Sequence, residues 1–262
     1  FVENAGANWI GGDRGNDIGA AHDAGVYITM TDPAEWALWG YGNRVYSNRI
    51  GVATNLSGVV TNAGDGVVLY YCGKNWIGDA HHPNWIANGK NGVKSMGCLS
   101  NDISGNRIGM APDGTIHGND DNGVYIGYSR NEEVGITSGS TQNDAGNVIV
   151  GSGQQGVYVF DSDHIGVAGN AIGHDPQTLV AGPNENGVYL SLSSNCLIGL
   201  HKVSMISVFD GNTIAGNRHH GVYVGGGFSN WIGGNCIGVA SNGQTVIPNG
   251  GSGVYLEHSV GN

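Results

Sequence analysis

The stretch that decides the fold reads Gly123-Val124-Tyr125-Ile126, and it returns as Gly156-Val157-Tyr158-Val159 and Gly187-Val188-Tyr189-Leu190. Five other copies, of which the one at Gly92 is degraded, begin at Gly25, Gly66, Gly92, Gly221 and Gly253. Consecutive copies start 41, 26, 31, 33, 31, 34 and 32 residues apart. A period of about 20–50 residues indicates a solenoid or another repeat architecture.

A second motif, Asn-x-Ile-Gly, lies between these copies. Examples are Asn8-Trp9-Ile10-Gly11, Asn75-Trp76-Ile77-Gly78, Asn106-Arg107-Ile108-Gly109 and Asn235-Cys236-Ile237-Gly238. Each repeat therefore carries three short strand-like pieces separated by Gly and Asn, which favour turns. This pattern predicts a solenoid with three strands in each turn. The recurring Asn residues are expected to stack their amides from one turn to the next.

Side chains alternate in direction along a strand, so Val and the aliphatic residue of each copy share one face and Tyr takes the other. The aliphatic face is expected to be buried against neighbouring turns. The residues predicted to be buried are Val26, Ile28, Val124, Ile126, Val157, Val159, Val188, Leu190, Val222, Val224, Val254 and Leu256.

The two motifs resemble those of right-handed parallel β-helix repeat proteins of the pectin-lyase-like superfamily, over essentially all of residues 8–256. The resemblance implies an all-β fold, a right-handed parallel β-helix of about eight turns. We expect one domain over 1–262, or a segment of a longer repeat protein. The superfamily includes polysaccharide lyases, hydrolases, epimerases, adhesins and repeat arrays, and this chain looks most like the repeat arrays. The Asp-Pro-His-Glu motif of alginate-type epimerases is not matched, since Gln177 follows Asp175-Pro176.

The composition excludes several partners. Formal net charge is −11 and the pI is about 5.1, which leaves no surplus of cations for nucleic acid. No apolar run approaches the roughly 18 residues that a membrane span requires. No motif indicates a cofactor or a metal site. The scarcity of Lys and the acidic balance favour an extracellular or cell-surface location.

One outward line of tyrosines is the strongest candidate binding feature. Stacked turns would align Tyr125, Tyr158, Tyr189, Tyr223 and Tyr255. Aromatic residues on strand surfaces stack with their own kind, which would be a purely structural role. Alternatively, their faces could receive sugar rings while their hydroxyls bond sugar hydroxyls. A protein contact is the third interpretation.

Acidic residues beside this line suggest an enzyme as the alternative. Asp121 and Glu185 lie two positions before the glycine of their copies and two turns apart, with Gln154 between them and His219 following. Two turns are about 10 Å between backbones, near the roughly 6.5–9.5 Å carboxyl separation of inverting glycosidases. Asp161 lies on the other flank. Ordinary solvated turn acids would show the same pattern.

A second outward column is predicted to contain Trp9, Arg44, Trp76, Asp102, Glu133, His164 and Trp231. An exposed Trp suggests a partner, or packing under a long loop.

Two of the four cysteines fall at the same place in consecutive copies. Cys72 and Cys98 each lie six residues after the first glycine of their copies, so stacking would put their Cα atoms about 4.8 Å apart. That spacing permits a disulfide, worth roughly 3–4 kcal/mol on the chain-entropy model. A stacked pair of reduced thiols is the alternative. Cys196 and Cys236 are not expected to pair.

Three functions remain open on the sequence. The leading one is a module that binds polysaccharide or another surface through the tyrosines. The alternatives are a polysaccharide hydrolase or lyase, and a structural spacer or filament subunit that associates end to end.

Overall fold

The computed structural model describes residues 1–3, 5–29, 42–52, 60–136, 146–200, 211–240 and 242–262. Within these ranges the regular elements are 25 short strands, β1 to β25 in chain order, arranged in three parallel sheets. No helix in the described ranges is long and apolar enough to cross a membrane. The fold is a right-handed parallel β-helix of about eight turns, as predicted, with the handedness that parallel crossovers prefer.

Consecutive turns contribute one strand to each sheet. The first sheet contains β1 (Val2–Glu3), β4 (Ala24–Thr29), β7 (Asp65–Tyr70), β10 (Val93–Met96), β13 (Val124–Gly127), β16 (Val157–Phe160), β19 (Val188–Ser191), β22 (Val222–Gly225) and β25 (Val254–Glu257). The second contains β2 (Trp9–Gly11), β5 (Arg44–Tyr46), β8 (Trp76–Ile77), β11 (Asp102–Ile103), β14 (Glu133–Gly135), β17 (Gly166–Ala168), β20 (Leu197–Gly199) and β23 (Trp231–Gly233). The third contains β3 (Asp17–Ile18), β6 (Arg49–Ile50), β9 (Trp85–Ile86), β12 (Arg107–Ile108), β15 (Val148–Ile149), β18 (Ala171–Ile172), β21 (Thr213–Ile214) and β24 (Cys236–Ile237).

The core consists of the aliphatic faces of all three sheets. Ten of the twelve residues predicted to be buried are at most 4% exposed, which confirms the alternation of the motif. The prediction was wrong for Val254 and Leu256, which are 42% and 50% exposed. They lie on β25, the last strand of the first sheet, which has a neighbour on one side only. An aliphatic face is buried here only when a turn stacks on both sides of it.

An asparagine ladder runs through every turn at the corner between the second and third sheets. Each member donates its backbone N–H and its Nδ2–H to Oδ1 of the next, at 2.9–3.3 Å. Its members are Asn16, Asn48, Asn84, Asn106, Asn147, Asn170, Asn212 and Asn235. The predicted stacking of amides is confirmed.

A second ladder, at the corner between the first and second sheets, ends on a carboxyl group. Asn8, Asn43, Asn75 and Asn101 donate in the same way, and the last donates both hydrogens to Oε1 of Glu132, at 3.2 and 2.9 Å. The next turn offers no acceptor, because Glu133 pairs with Gly166 and so places Ile165 opposite Glu132. A ladder residue at 132 that donated onward, as the asparagines do, would find no side-chain acceptor in that turn. A carboxyl group can end the ladder because its Oε1 accepts both hydrogens of Asn101 and need not donate to the next turn.

A third ladder, where the chain enters the first sheet, runs in the opposite direction and ends in the same way. Asn91 donates its N–H and Nδ2–H to Oδ1 of Asp65, at 3.0 and 2.7 Å. The preceding turn has Ala24 opposite Asp65, which again offers no side-chain acceptor. The members that follow Asn91 in the chain, each donating to the one before it, are Asn122, Gln155, Asn186, His220 and Ser252.

Candidate functional site

The first sheet brings five tyrosines into one line on its outer face, defined here as the tyrosine line: Tyr125, Tyr158, Tyr189, Tyr223 and Tyr255. They are paired in register from β13 to β25. Four are half-buried, and Tyr255 is 40% exposed. Towards the first turns the same position is taken by Lys94 and by the buried Val68.

The rings of the tyrosine line pack against one another. Tyr189 and Tyr223 are parallel with centroids 4.4 Å apart, and Tyr158 and Tyr189 stack at 5.1 Å. The end members, Tyr125 and Tyr255, meet their neighbours edge to face. The turn spacing of a β-helix matches the distance at which aromatic rings stack. In the middle of the line, ring faces therefore cover each other and are not open to sugar rings, contrary to that part of the expectation. The five side chains nevertheless stay partly exposed.

Further aromatic side chains that the repeat pattern did not indicate widen this surface. Phe160, two residues after Tyr158 on β16, lies 6.2 Å from that ring and 5.3 Å from the ring of Tyr128, which is 55% exposed. Gly127 makes room for the Tyr125 ring, since a Cβ at this glycine would lie 2.8 Å from the ring. The available signal was position, because a residue two places after an outward one on a strand also faces outward.

The predicted acidic column forms, but its carboxylates are not placed together. Backbone hydrogen bonds of 2.6–2.7 Å stack Asp121, Gln154, Glu185 and His219 in consecutive turns. Gln154 lies between the two acids and donates its Nε2–H to Oδ1 of Asp121 at 3.0 Å. Glu185 instead contacts His219, with Oε1 and Nδ1 3.2 Å apart. Each acid therefore has its own polar neighbour in the column.

Asp161, the third predicted acid, lies apart from that column. It occupies an exposed turn after β16, at the opposite end of the strand, with a positive φ of 44°. Its backbone N–H donates to the carbonyl oxygen of Ser191 at 2.9 Å.

Polar contacts gather where the tyrosine line ends. The Tyr223 hydroxyl donates to Oε2 of Glu257, and this hydrogen bond raises the pKa of Tyr223 above its usual range. The His220 ring stacks on Tyr255 with centroids 4.7 Å apart. The Nδ1 atom of His220 accepts the N–H of Ser252 at 3.0 Å, so a neutral His220 carries its proton on Nε2. Sequence reasoning missed these partners, although Glu257 lies two residues after Tyr255 on β25.

The second sheet has its own outward column. The guanidinium of Arg44 lies between two indoles, 5.0 Å from the Trp9 ring and 5.2 Å from the Trp76 ring. The prediction of His164 in this column was wrong, because Gly166 occupies the position. The sequence Asp163-His164-Ile165-Gly166 imitates the Asn-x-Ile-Gly motif, but the strand there begins at Gly166.

Cys72 and Cys98 stack as predicted. Their Sγ atoms are 3.8 Å apart, both side chains are buried, and the backbone N–H of Cys72 points at Sγ of Cys98. Burial raises the pKa of the Cys98 thiol, but the hydrogen bonds around it, from Cys72 and Ser95 above all, together outweigh burial and lower the pKa to about 7. Whether the two thiols are bridged stays a prediction. Cys196 and Cys236 lie in later turns, away from this pair.

In the described part of the chain, no group of three or more His, Cys, Asp or Glu side chains is arranged to hold a metal ion.

No protein-family model matches the chain, and no curated protein matches it. Among solved structures, the periplasmic alginate epimerase AlgG is similar at 12% sequence identity, with a TM-score of 0.38, and a point mutant of it gives 0.41. Each comparison covers 96% of this chain and 61% of the other, so the chain spans about three fifths of the length of those structures. At this level of similarity AlgG informs neither the activity nor the site residues of this chain.

Proposed function

We propose that this protein is an extracellular β-helix module that binds polysaccharide through the tyrosine line. The observation that carries the proposal is the in-register row of five tyrosines, whose hydroxyls recur once per turn along the outer face of the first sheet. A polysaccharide presents hydroxyl groups and C–H edges at regular intervals. It can therefore meet a regular row of phenol groups with one contact per turn.

The packing of the rings defines how such binding works. Because the rings of Tyr158, Tyr189 and Tyr223 cover one another, the sugar contacts their edges and hydroxyls. The stack is also rigid, since each ring is held by the next, so little side-chain entropy is lost on binding. Adjacent polar groups, among them Gln154 and Ser191, extend the row of hydrogen-bonding partners.

Two triple variants test this proposal. Replacing Tyr158, Tyr189 and Tyr223 together with Phe keeps the ring stack but removes three hydroxyls. At about 0.5–1.5 kcal/mol for each lost hydrogen bond, retention on a polysaccharide column should fall about tenfold or more. Replacing the same three with Ala should abolish retention. Trp9→Ala, an exposed aromatic change on the second sheet, is the control and should leave retention unchanged.

The outcomes separate the interpretations. If the Ala variant loses retention and the Phe variant keeps it, the ring edges bind the polysaccharide and the hydroxyls do not. Full retention in both triple variants, or no retention of the unmutated protein on a broad panel of glycans, would end the proposal. In that case the line would be a structural stack, as in a spacer or filament subunit.

An enzyme is the second candidate, because one specific pair favours it. Glu185 and His219 lie in contact beside the tyrosine line, which is an arrangement suited to proton transfer. Asp121 lies two turns away with Gln154 between. If this column is catalytic, Glu185→Gln and Asp121→Asn should each remove glycan cleavage while leaving the fold intact. Absence of any cleavage by the unmutated protein would remove this candidate.

A further inference from the structure

The charges around the tyrosine line define which polysaccharides it can take. The polymer class is decided by whether any cation is available to an anionic sugar, since carboxylated or sulfated chains are held mainly by Lys and Arg. The protein as a whole has a formal net charge of −11, so a polyanion is repelled at long range unless a local cation attracts it.

Both lysines beside the line are already engaged. Lys94 lies next to Tyr125 in the same column, 6.0 Å from its ring, and its Nζ is 3.7 Å from a carboxylate oxygen of Asp65. Lys90 precedes the acidic column, and its Nζ is 3.9 Å from Oδ2 of Asp121. Neither lysine can neutralise a bound anion without giving up its own carboxylate.

The other charged groups that border the line in the described part of the chain add no net positive charge. Glu185 contacts His219, Glu257 accepts the Tyr223 hydroxyl, and Asp161 is exposed. Asp120 and Arg218 are exposed residues at the corner of the β-helix, each one position before a member of the acidic column. They contribute one charge of each sign. The surface bordering the line is therefore neutral to acidic, and it is rich in hydroxyl and amide groups.

We infer that the ligand of the tyrosine line is a neutral polysaccharide, one whose sugars carry hydroxyl groups and no carboxylate or sulfate. This inference rests on the proposed polysaccharide binding and specifies its substrate class. A neutral polysaccharide needs no cation for binding, and it is not repelled by the carboxylates that border the line. A uronate polymer would meet Asp161 and Glu185, while Lys90 and Lys94 are already engaged and the charge of Arg218 is offset by that of Asp120.

Matched pairs of polymers test the inference at about pH 8, above the ordinary pKa of a histidine side chain. Each pair shares a backbone and differs in charge: dextran and carboxymethyl-dextran, hydroxyethylcellulose and carboxymethylcellulose, methyl-esterified pectin and polygalacturonate. Retention on the neutral member of a pair, at least several-fold stronger than on the charged member and insensitive to salt, supports it. Equal or stronger retention on the charged member overturns the substrate class but leaves polysaccharide binding standing. Retention on neither member of any pair overturns both.

A charge variant provides the positive control. Asp121→Asn keeps an acceptor for Gln154 but releases Lys90 from its carboxylate. Retention on the charged members should rise about two- to fivefold, the size of one exposed ion pair. Asp13→Asn makes the same change in net charge at an exposed turn away from the first sheet, and it should give no such rise. An equal rise in both variants would attribute exclusion of polyanions to overall charge, and would contradict a local role of the line.

Discussion

Replacing Glu132 tests whether an asparagine ladder needs a side-chain acceptor where it ends. Glu132 is fully buried, and its Oε1 accepts both the N–H and the Nδ2–H of Asn101, while Oε2 accepts the Ser95 hydroxyl at 2.7 Å. Glu132→Ala removes all three acceptor contacts at once. Ile165, in the next turn, cannot replace them because its side chain has no polar atom.

The expected loss follows from the stranded donors. A buried donor left without an acceptor costs about 1–3 kcal/mol, so the two hydrogens of Asn101 alone correspond to about 2–6 kcal/mol. For a chain of this size, 1 kcal/mol shifts the melting temperature by about 2–4 °C. The Ala variant should therefore melt about 4–24 °C lower. Glu132→Gln keeps an oxygen for Asn101 and directs its amide at Ser95, so it should lose only about 1 kcal/mol.

Glu132 should also make the stability of the protein depend on pH. Burial, with the neighbouring Cys98 thiol as a smaller cause, raises the pKa of the Glu132 carboxyl well above its usual range. A folded-state pKa above the unfolded value means that the native state binds the proton more tightly. The resulting stability is complete below about pH 4.3 and is lost as the pH rises through the folded pKa, at up to about 1.4 kcal/mol per pH unit. This slope should vanish in Glu132→Gln.

Thermal unfolding followed by circular dichroism, repeated at several pH values, measures both effects. Glu3→Gln is the control. Glu3 is exposed, so the same change there should alter the free energy of unfolding by less than about 0.5 kcal/mol. If Glu132→Ala melts within the range of that control, the ladder does not need its terminal acceptor and the reasoning is refuted. If the pH slope persists in Glu132→Gln, the proton is held elsewhere.

Two further predictions concern the core and the cysteines. Ile126→Asp should destabilise the protein by several kcal/mol, because an unpaired charge enters the fully buried core. Val246→Asp, at a site that is 71% exposed, is the control and should change the melting temperature little. Equal melting temperatures of the two variants would contradict the assignment of Ile126 to the core. Titration of thiols in the denatured, unreduced protein should find two free thiols, since oxidation needs only a rotation to close the 3.8 Å between Sγ of Cys72 and Cys98. Four free thiols would refute the bridge.

The repeat in the sequence determined most of the backbone arrangement. Alternation of side chains and the recurring glycine are local properties, so they specify which face of each strand is buried and which residues share a column. The column from Tyr125 to Tyr255 and the stacked cysteines followed from counting alone. Counting failed where local sequence imitates the motif, as at His164, because only pairing with Glu133 on the preceding turn identifies Gly166 as the strand residue.

Contacts between turns decided the rest. That the faces of Tyr189 and Tyr223 cover each other depends on rotamers and on the spacing of two turns, neither of which is written in a four-residue motif. The partners of Lys90 and Lys94 likewise lie in other turns. Glu132 resembles any polar turn residue in the sequence, and its role as the end of a ladder exists only because Asn101 lies on one side of it and Ile165 on the other. A repeat specifies register through local geometry, whereas the chemistry of a column depends on the unlike residues that stacking brings together.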